Sequence, residues 1–432
     1  MLLQNWWYTT LLNIKSDFCP PLMENLSCNV VVVGAGMAGL HAALRLAKAG
    51  KKIILLERNI CGGSSTGKSA GFLSPDSELE LHQLIRRYGV EGAKIVWSIP
   101  TQGVDLVVSN IKTYAIACDL QKQDSFFAGI GKEGIEAVQK EVEARTQFNL
   151  PYTHYDKKTI TQVNRGKGYT AGIRYDDTYG INALLCAQGL KTAIISHGGR
   201  VFEGTEVTGL HDHTVSTHLG SVKAERIIFA IDKIKPAISD IAYDMYHAQT
   251  FLSISEPLED DDIKAMFNMS NMMCWDSDLV YTYYRLTGDK RLLIGGGSAL
   301  TTFSALDVHT PRIIAHIIKK FKKRFPIMKH VEFIQYWPGR IDTSKDLIPI
   351  VDVDKKIPHV QYVLGCVGLP WAAFCGDYAA QRLLDEHYGP EYKNYLSAQR
   401  KFLIPTWLSR IMGKMATFSL SHLYAKYLQK GY

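Results

Sequence analysis

What this sequence lacks narrows its class before any motif is read. Its eight cysteines, at positions 19, 28, 61, 118, 186, 274, 366 and 375, contain no CxxC pair and no repeated spacing. That argues against a disulfide framework or a cysteine-held metal and points to reduced thiols in a cytoplasmic compartment. No window reaches the ~18 unbroken apolar residues of a membrane span. The opening MLLQNWWYTTLLNIK has neither a positive start nor a continuous apolar core, so it is a poor secretory signal. No nucleic-acid motif is present, and no basic stripe is interleaved with aromatics. The net charge of +7 is modest for 432 residues and suits an anionic ligand or an acidic membrane surface rather than nucleic acid.

What is present centres on residues 29–58, NVVVVGAGMAGLHAALRLAKAGKKIILLER. A β-branched run breaks into glycines, an Ala/Leu-rich helical pattern follows, and a second apolar run stops at Glu57. This reads as strand, tight turn, helix and strand. Gly34 permits the turn, Gly36 lets a pyrophosphate approach the backbone, and Gly39 lets helix and strand pack closely. The phosphates then face the amides where Met37 and Ala38 open the helix. Glu57 stands about 20 residues on, placed to accept hydrogen bonds from an adenosine ribose.

A length of 432 residues suggests two interleaved domains. The nucleotide-binding domain is expected over 1–76, 169–236 and 333–388, with a substrate domain over 77–168 and 237–332 and a helical tail over 389–432. The Trp6-Trp7-Tyr8 leader is expected to dock on the body of the protein. Residues 61–75, CGGSSTGKSAGFLSP, read either as backbone lying close to a bound ring or as a mobile surface loop. Residues 77–148 read as mostly helical. Asn182 opens a helix closing at His197-Gly198-Gly199, and strands follow at 200–207 and 221–231. Further strands are expected in HAQTFLSISEPL, LVYTYYRLTG and KRLLIGGGS, the last two joined by a turn at Gly288-Asp289. A second glycine-bearing turn, at Gly365 and Gly368, precedes a helix around 376–384. The fold class expected is α/β (α+β): a Rossmann-like domain interleaved with one built on a mixed or antiparallel sheet.

Five ordered blocks carry a resemblance: GAGMAG with Glu57, GGSSTGKSAGF, YGINALLCAQGL followed by GTEV, YRLTGDKRLLIGGGS, and WPGRIDTSKDLIP followed by LGCVGLPWAAFCGDYAA. Through them the chain resembles the FAD-dependent D-amino-acid oxidase superfamily, most of all its gamma-glutamylputrescine oxidase branch, from the leader to about Leu384. The resemblance implies FAD, with its pyrophosphate at Gly34 to Gly39 and its ribose on Glu57, next to Arg58. It implies Ser64, Ser65, Ser69, Ala70, Gly71 and Gly339 along the cofactor, Val207 at the adenine, and Gly365, Gly368 and Leu369 at the far end of the flavin ring. The implied reaction is oxidation of an amine or amino acid at its C–N bond, with oxygen or another acceptor taking the electrons.

An aromatic cage that holds the amine neutral is expected from Trp275, Tyr281, Tyr283, Tyr284 and Trp371, each of which also reads as core. Tyr284, Trp371 and Asp342 are the candidate catalytic residues, Asp342 as partner for a cationic amine or as a plain turn carboxylate. Four positions depart from the family pattern. Ile341 stands where relatives carry an arginine that grips a carboxylate, and Arg340 next to it is expected on the other strand face. Leu293 stands in place of a lysine near the flavin, Pro370 in place of a glycine, and Asp232 in place of another glycine. No cysteine or histidine is assignable as a covalent flavin link, and no metal is expected. A flavin hydroxylase using NAD(P)H is disfavoured by the absence of a second dinucleotide fingerprint, and a non-catalytic FAD-binding protein is the other alternative. In the tail, Trp407, Leu408, Ile411, Met412 and Met415 beside Arg410, Lys414 and Lys426 read either as a helix packed on the body or as a basic amphipathic helix on the inner face of a membrane.

Overall fold

The computed structural model describes residues 1–13, 18–76, 78–176, 178–236, 238–268, 271–278, 280–297 and 308–424. Among them, Asn25–Val33 runs parallel to Ile53–Leu56 and Ser221–Phe229, and the sheet continues in parallel to Arg200–Phe202 and Val360–Leu364. Both faces of the central strand are buried, as its unbroken valine run requires. Val30 and Val32 enter one apolar core while Val31 and Val33 enter another. Ile53 and Leu55 alternate with Ile54 and Leu56 in the same way.

The second sheet is mixed, with nine strands in the described residues. Its spine is Met245–Pro257, paired antiparallel with Phe333–Ser344 on one side and Arg291–Gly296 on the other. It continues through Tyr283–Leu286, Met272–Asp276, Asp124–Ile130 and Tyr169–Tyr175 to Thr153–Tyr155. An α/β architecture with two mixed sheets is therefore present, but its seams differ from those expected. Asp124–Ile130 is a strand inside the stretch read as mostly helical. Tyr169–Tyr175 pairs with it, and Phe333–Ser344 pairs with Met245–Pro257, so both strands belong to the nine-stranded sheet rather than, as expected, to the sheet of Asn25–Val33. A strand is assigned by a partner far away in the chain, and no composition break marks these boundaries.

Helices are fixed by local signals and by glycine. Asn182 caps Ala183–Ser196, its side chain accepting from Leu185 N at 3.1 Å. Helix Leu81–Thr113 bends at Gly89, whose φ is 68°. It lies against helix Leu369–Leu384, which in turn crosses Met37–Lys48. These crossings are backbone-close: a Cβ on Gly376 would meet Ala38 O at 1.9 Å, and one on Gly103 would meet Pro370 O at 2.0 Å.

The leader docks as expected. In helix Trp6–Thr10, Trp7 is buried edge-on to Trp337, its indole N–H donates to Ser69 O at 2.9 Å, and Tyr8 donates to Gly63 O at 2.8 Å. The glycine-rich loop is therefore pinned. All eight cysteines are free thiols. The described residues of the tail form three helices, Pro390–Leu396, Thr406–Met412 and Lys414–Leu423, the last two separated at Gly413 with φ 77°, and Lys426 lies outside the described residues. No helix among the described residues is long and apolar enough to cross a membrane.

Gly376→Ala is expected to lower unfolding stability by roughly 1–3 kcal/mol, because the new methyl must push two helices apart. Thermal or urea unfolding measures it, and an unchanged midpoint would show that this crossing is not tight in solution.

Candidate functional site

One cavity of about 900 Å³ begins at the first glycine turn and ends against the nine-stranded sheet. Gly34, Gly36, Met37 and Ala38 border its first end. Gly34 has φ 97°, and a Cβ there would stand 2.3 Å from Ala230 O, so the turn admits only glycine. Gly39 does not border the cavity: its Cβ would lie 1.8 Å from Gly34 O, which makes it the packing glycine expected. Met37 N donates to Thr66 Oγ1 at 3.0 Å, and the amides beside it have no carbonyl one turn back within the helix. This is an anion-binding end.

Glu57 and Arg58 border the cavity next to that turn. The Glu57 carboxylate accepts from Ala35 N and Asn59 N, each at 2.9 Å. Burial raises its pKa above the ordinary value, while those two donors act in the opposite direction. Each oxygen keeps acceptor capacity for a ligand hydroxyl.

Ser64, Ser65, Ser69, Ala70 and Gly71 form the next wall, with Val207 at one side and Gly339 opposite. Gly71 has φ 73° and would carry its Cβ 1.9 Å from Ile181 O. A buried cation that sequence reasoning missed holds this loop: Arg285 donates to Ala70 O and Ile181 O, each at 2.6 Å, and to Leu286 O at 3.0 Å. Burial pulls its pKa down to about 10. Gly365, Gly368 and Leu369 close the same region at the start of helix Leu369–Leu384.

The three catalytic candidates lie elsewhere. Tyr284 points away from the cavity into a separate core with Phe267, Phe321 and Phe325, its hydroxyl accepting from Asn164 Nδ2 at 2.9 Å. Its neighbour Tyr283 borders the cavity, because adjacent strand residues face opposite sides. Trp371 is buried in the apolar core that Leu81–Thr113 and Leu369–Leu384 share. Asp342 is buried 2.6 Å from His247 Nδ1 and accepts from Lys233 N, so its carboxylate is already engaged. Leu293 is likewise buried with Trp7 and Trp337 and does not reach the cavity. Arg340 and Ile341 both border it, although neighbours on a strand were expected to diverge. Arg340 turns its carbonyl this way, accepting from Ser65 Oγ at 2.8 Å.

The far end is aromatic and acidic. Trp275, Tyr281 and Tyr283 border it, as do Asp76, Glu78 and Glu80. The Trp275 indole N–H donates to Glu80 Oε1 at 3.0 Å, and Tyr281 donates to Glu78 at 2.9 Å. Carboxylate oxygens of Asp76, Glu80 and Glu141 all lie within 4.8 Å of one another. Arg145 bonds Asp76 and Glu141, each at 3.1 Å, and His82 lies 3.0 Å from Glu141. Burial and the charges of Asp76 and Glu141 push the Glu80 pKa well above the ordinary carboxylate range. Burial acts on Glu141 too, but His82 and Arg145 hold it low. The stretch from 76 to 82 reads in sequence only as the start of an amphipathic helix, and nothing in it signals a partner as distant as Arg145.

Asp232, at the position where relatives carry glycine, borders the cavity and accepts from the Ser65 hydroxyl. Burial and the neighbouring Asp342 push its pKa up to about 6.

The family described as DAO, FAD dependent oxidoreductase, matches residues 29–382. The probable oxidoreductase OrdL of Haemophilus influenzae is 27% identical over 359 residues, covering 81% of this chain and 80% of that one. The gamma-glutamylputrescine oxidoreductase of Escherichia coli is 29% identical over 337 residues, covering 76% of this chain and 77% of that one. Among solved structures, glycine oxidase from Geobacillus kaustophilus has a TM-score of 0.75 at 15% identity, covering 88% of this chain and 100% of that one. At that identity the likeness is one of fold.

Asp232 yields a pH prediction. Folding raises its pKa from 3.8 to about 6, so the folded state holds a proton that the unfolded chain releases. Its cost to stability is absent below the unfolded value, grows as pH rises between the two values, and is complete above the folded one. Asp232→Asn is expected to match wild type at low pH and to be more stable by on the order of 1–2 kcal/mol at neutral pH. Urea unfolding across pH checks this, and a gap that does not change with pH refutes it.

Proposed function

Because the chain belongs to the DAO family of FAD dependent oxidoreductases, we propose that it oxidises the C–N bond of a primary or secondary amine to an imine, which water then hydrolyses. The residues present fit the cofactor. The first-turn amides and Gly36 would receive the diphosphate, Glu57 the ribose, Val207 the adenine, and Ser69 to Gly71 with Gly365 to Leu369 the ring system. When bound, FAD supplies the acceptor for a hydride equivalent.

The observation that carries an amine reading is the chemistry of the cavity's far end. A cationic amine meets the carboxylates of Glu78 and Glu80 and the faces of Trp275, Tyr281 and Tyr283 there. Ile341, bordering the cavity, offers no grip for a substrate carboxylate. An ammonium must lose a proton before its carbon can release a hydride, and the ionised carboxylate of Glu80, bordering the cavity, would take that proton. The aromatic walls exclude water and favour the neutral amine that results. The Escherichia coli relative is named for its action on gamma-glutamylputrescine, an amine derivative, which supports this reading. Eight free thiols support a cytoplasmic setting.

Anaerobic mixing of the flavin-loaded protein with amines and amino acids tests this. Amines are expected to bleach the band near ~450 nm that oxidised flavin shows. Glu80→Gln is expected to slow the bleaching by on the order of 10²-fold or more at neutral pH. Bleaching by NAD(P)H alone would replace this reading with a hydroxylase, and bleaching by nothing would leave a non-catalytic flavoprotein.

A further inference from the structure

None of the described residues beyond the family match borders the cavity, and the composition of the tail is unlike the rest of the chain. Residues 396–432 contain six lysines and arginines and no aspartate or glutamate, in a protein whose net charge is only +7. We propose that this tail docks the protein on the surface of an anionic lipid bilayer.

The inner face of the tail is anchored. Phe418 is buried against Tyr246, with ring centroids 5.2 Å apart. The buried ammonium of Lys345 donates to Ile404 O at 2.8 Å and to Ser409 Oγ at 3.2 Å, and Thr406 donates to Asp244 at 2.8 Å. These bonds determine which side faces outward.

That outward side is apolar. Trp407 and Ile411, one turn apart on Thr406–Met412, are 65% and 74% exposed, and Leu403 before that helix and Met415 after the break at Gly413 are 47% and 68% exposed. Arg410 and Lys414 flank them, both exposed. Arg410 also reaches Asp240 on the body at 3.2 Å, a pair open to solvent and therefore weak. Large apolar side chains rimmed by cations match a headgroup layer, with an indole at the interface and lysine and arginine among the phosphates. A second copy of the chain fits poorly, because a two-fold contact through this face sets two acid-free basic tails against each other.

Sedimentation of the flavin-loaded protein with vesicles tests the proposal. It is expected to pellet with vesicles of phosphatidylcholine and phosphatidylglycerol, to stay in solution with phosphatidylcholine alone, and to be released by salt. Arg410→Gln and Lys414→Gln should each weaken binding by about fivefold. The double variant Trp407→Ser, Ile411→Ser should abolish it while the flavin spectrum and melting temperature stay at wild-type values, which separates loss of docking from loss of fold. Wild type left in the supernatant with both vesicle types overturns the proposal, as does equal pelleting of wild type and the double variant. A dimer in vesicle-free solution that Trp407→Ser disrupts, without vesicle binding by wild type, assigns the face to a second copy instead.

Discussion

Backbone touches backbone in a line that crosses the whole nucleotide half of the molecule. Gly34 sits under Ala230 O, Gly39 on Gly34 O, Gly376 on Ala38 O and Gly103 on Pro370 O, each leaving less than 2.4 Å for any added methyl. Strand, first helix, last family helix and the long helix Leu81–Thr113 are thereby held at one spacing. The open N-terminal turn of the first helix is a by-product of that spacing. Were the helices a methyl further apart, the amides that await an anion would no longer line the same cavity as Glu57 and Gly365.

The second half is held by buried charge. Arg285 ties the strand Tyr283–Leu286 to Ala70 O of the glycine-rich loop and to Ile181 O, and Arg145 ties helix Gly131–Gln147 to Asp76. Arg145 also lies over the Tyr175 ring at 3.4 Å, and its acidic neighbours hold its pKa up against burial. A buried arginine without these partners would be costly, so each loop is specified by the cation it satisfies. Both arginines act across sequence gaps that no local pattern spans.

Together these constraints give the cavity opposite ends. Helix amides and glycine turns at one end favour negative charge, and crowded carboxylates at the other favour positive charge. The two ends therefore offer separate groups to charges of opposite sign. Glu57 and Asp232 are carboxyls that also border the cavity; burial raises the pKa of both, with Asp342 adding to the shift of Asp232.

Much of this was legible in residues alone. Val30 to Val33 and the three glycines declare strand, turn and helix through short-range geometry, and the Asn182 cap declares its helix. The aromatic end was visible only as a set of residues. Sequence placed Tyr283 and Tyr284 together, but pairing of Tyr284 with Cys274 and Ile294 decides that one faces the cavity and the other a core. Asp342 looked available until His247, from the neighbouring strand, was brought to it. Periodicity and turn chemistry act over a few residues, and within that reach the sequence determined the cofactor end. Register between distant strands and the pairing of buried charges arise only on folding, so the tertiary structure decided the aromatic and acidic end.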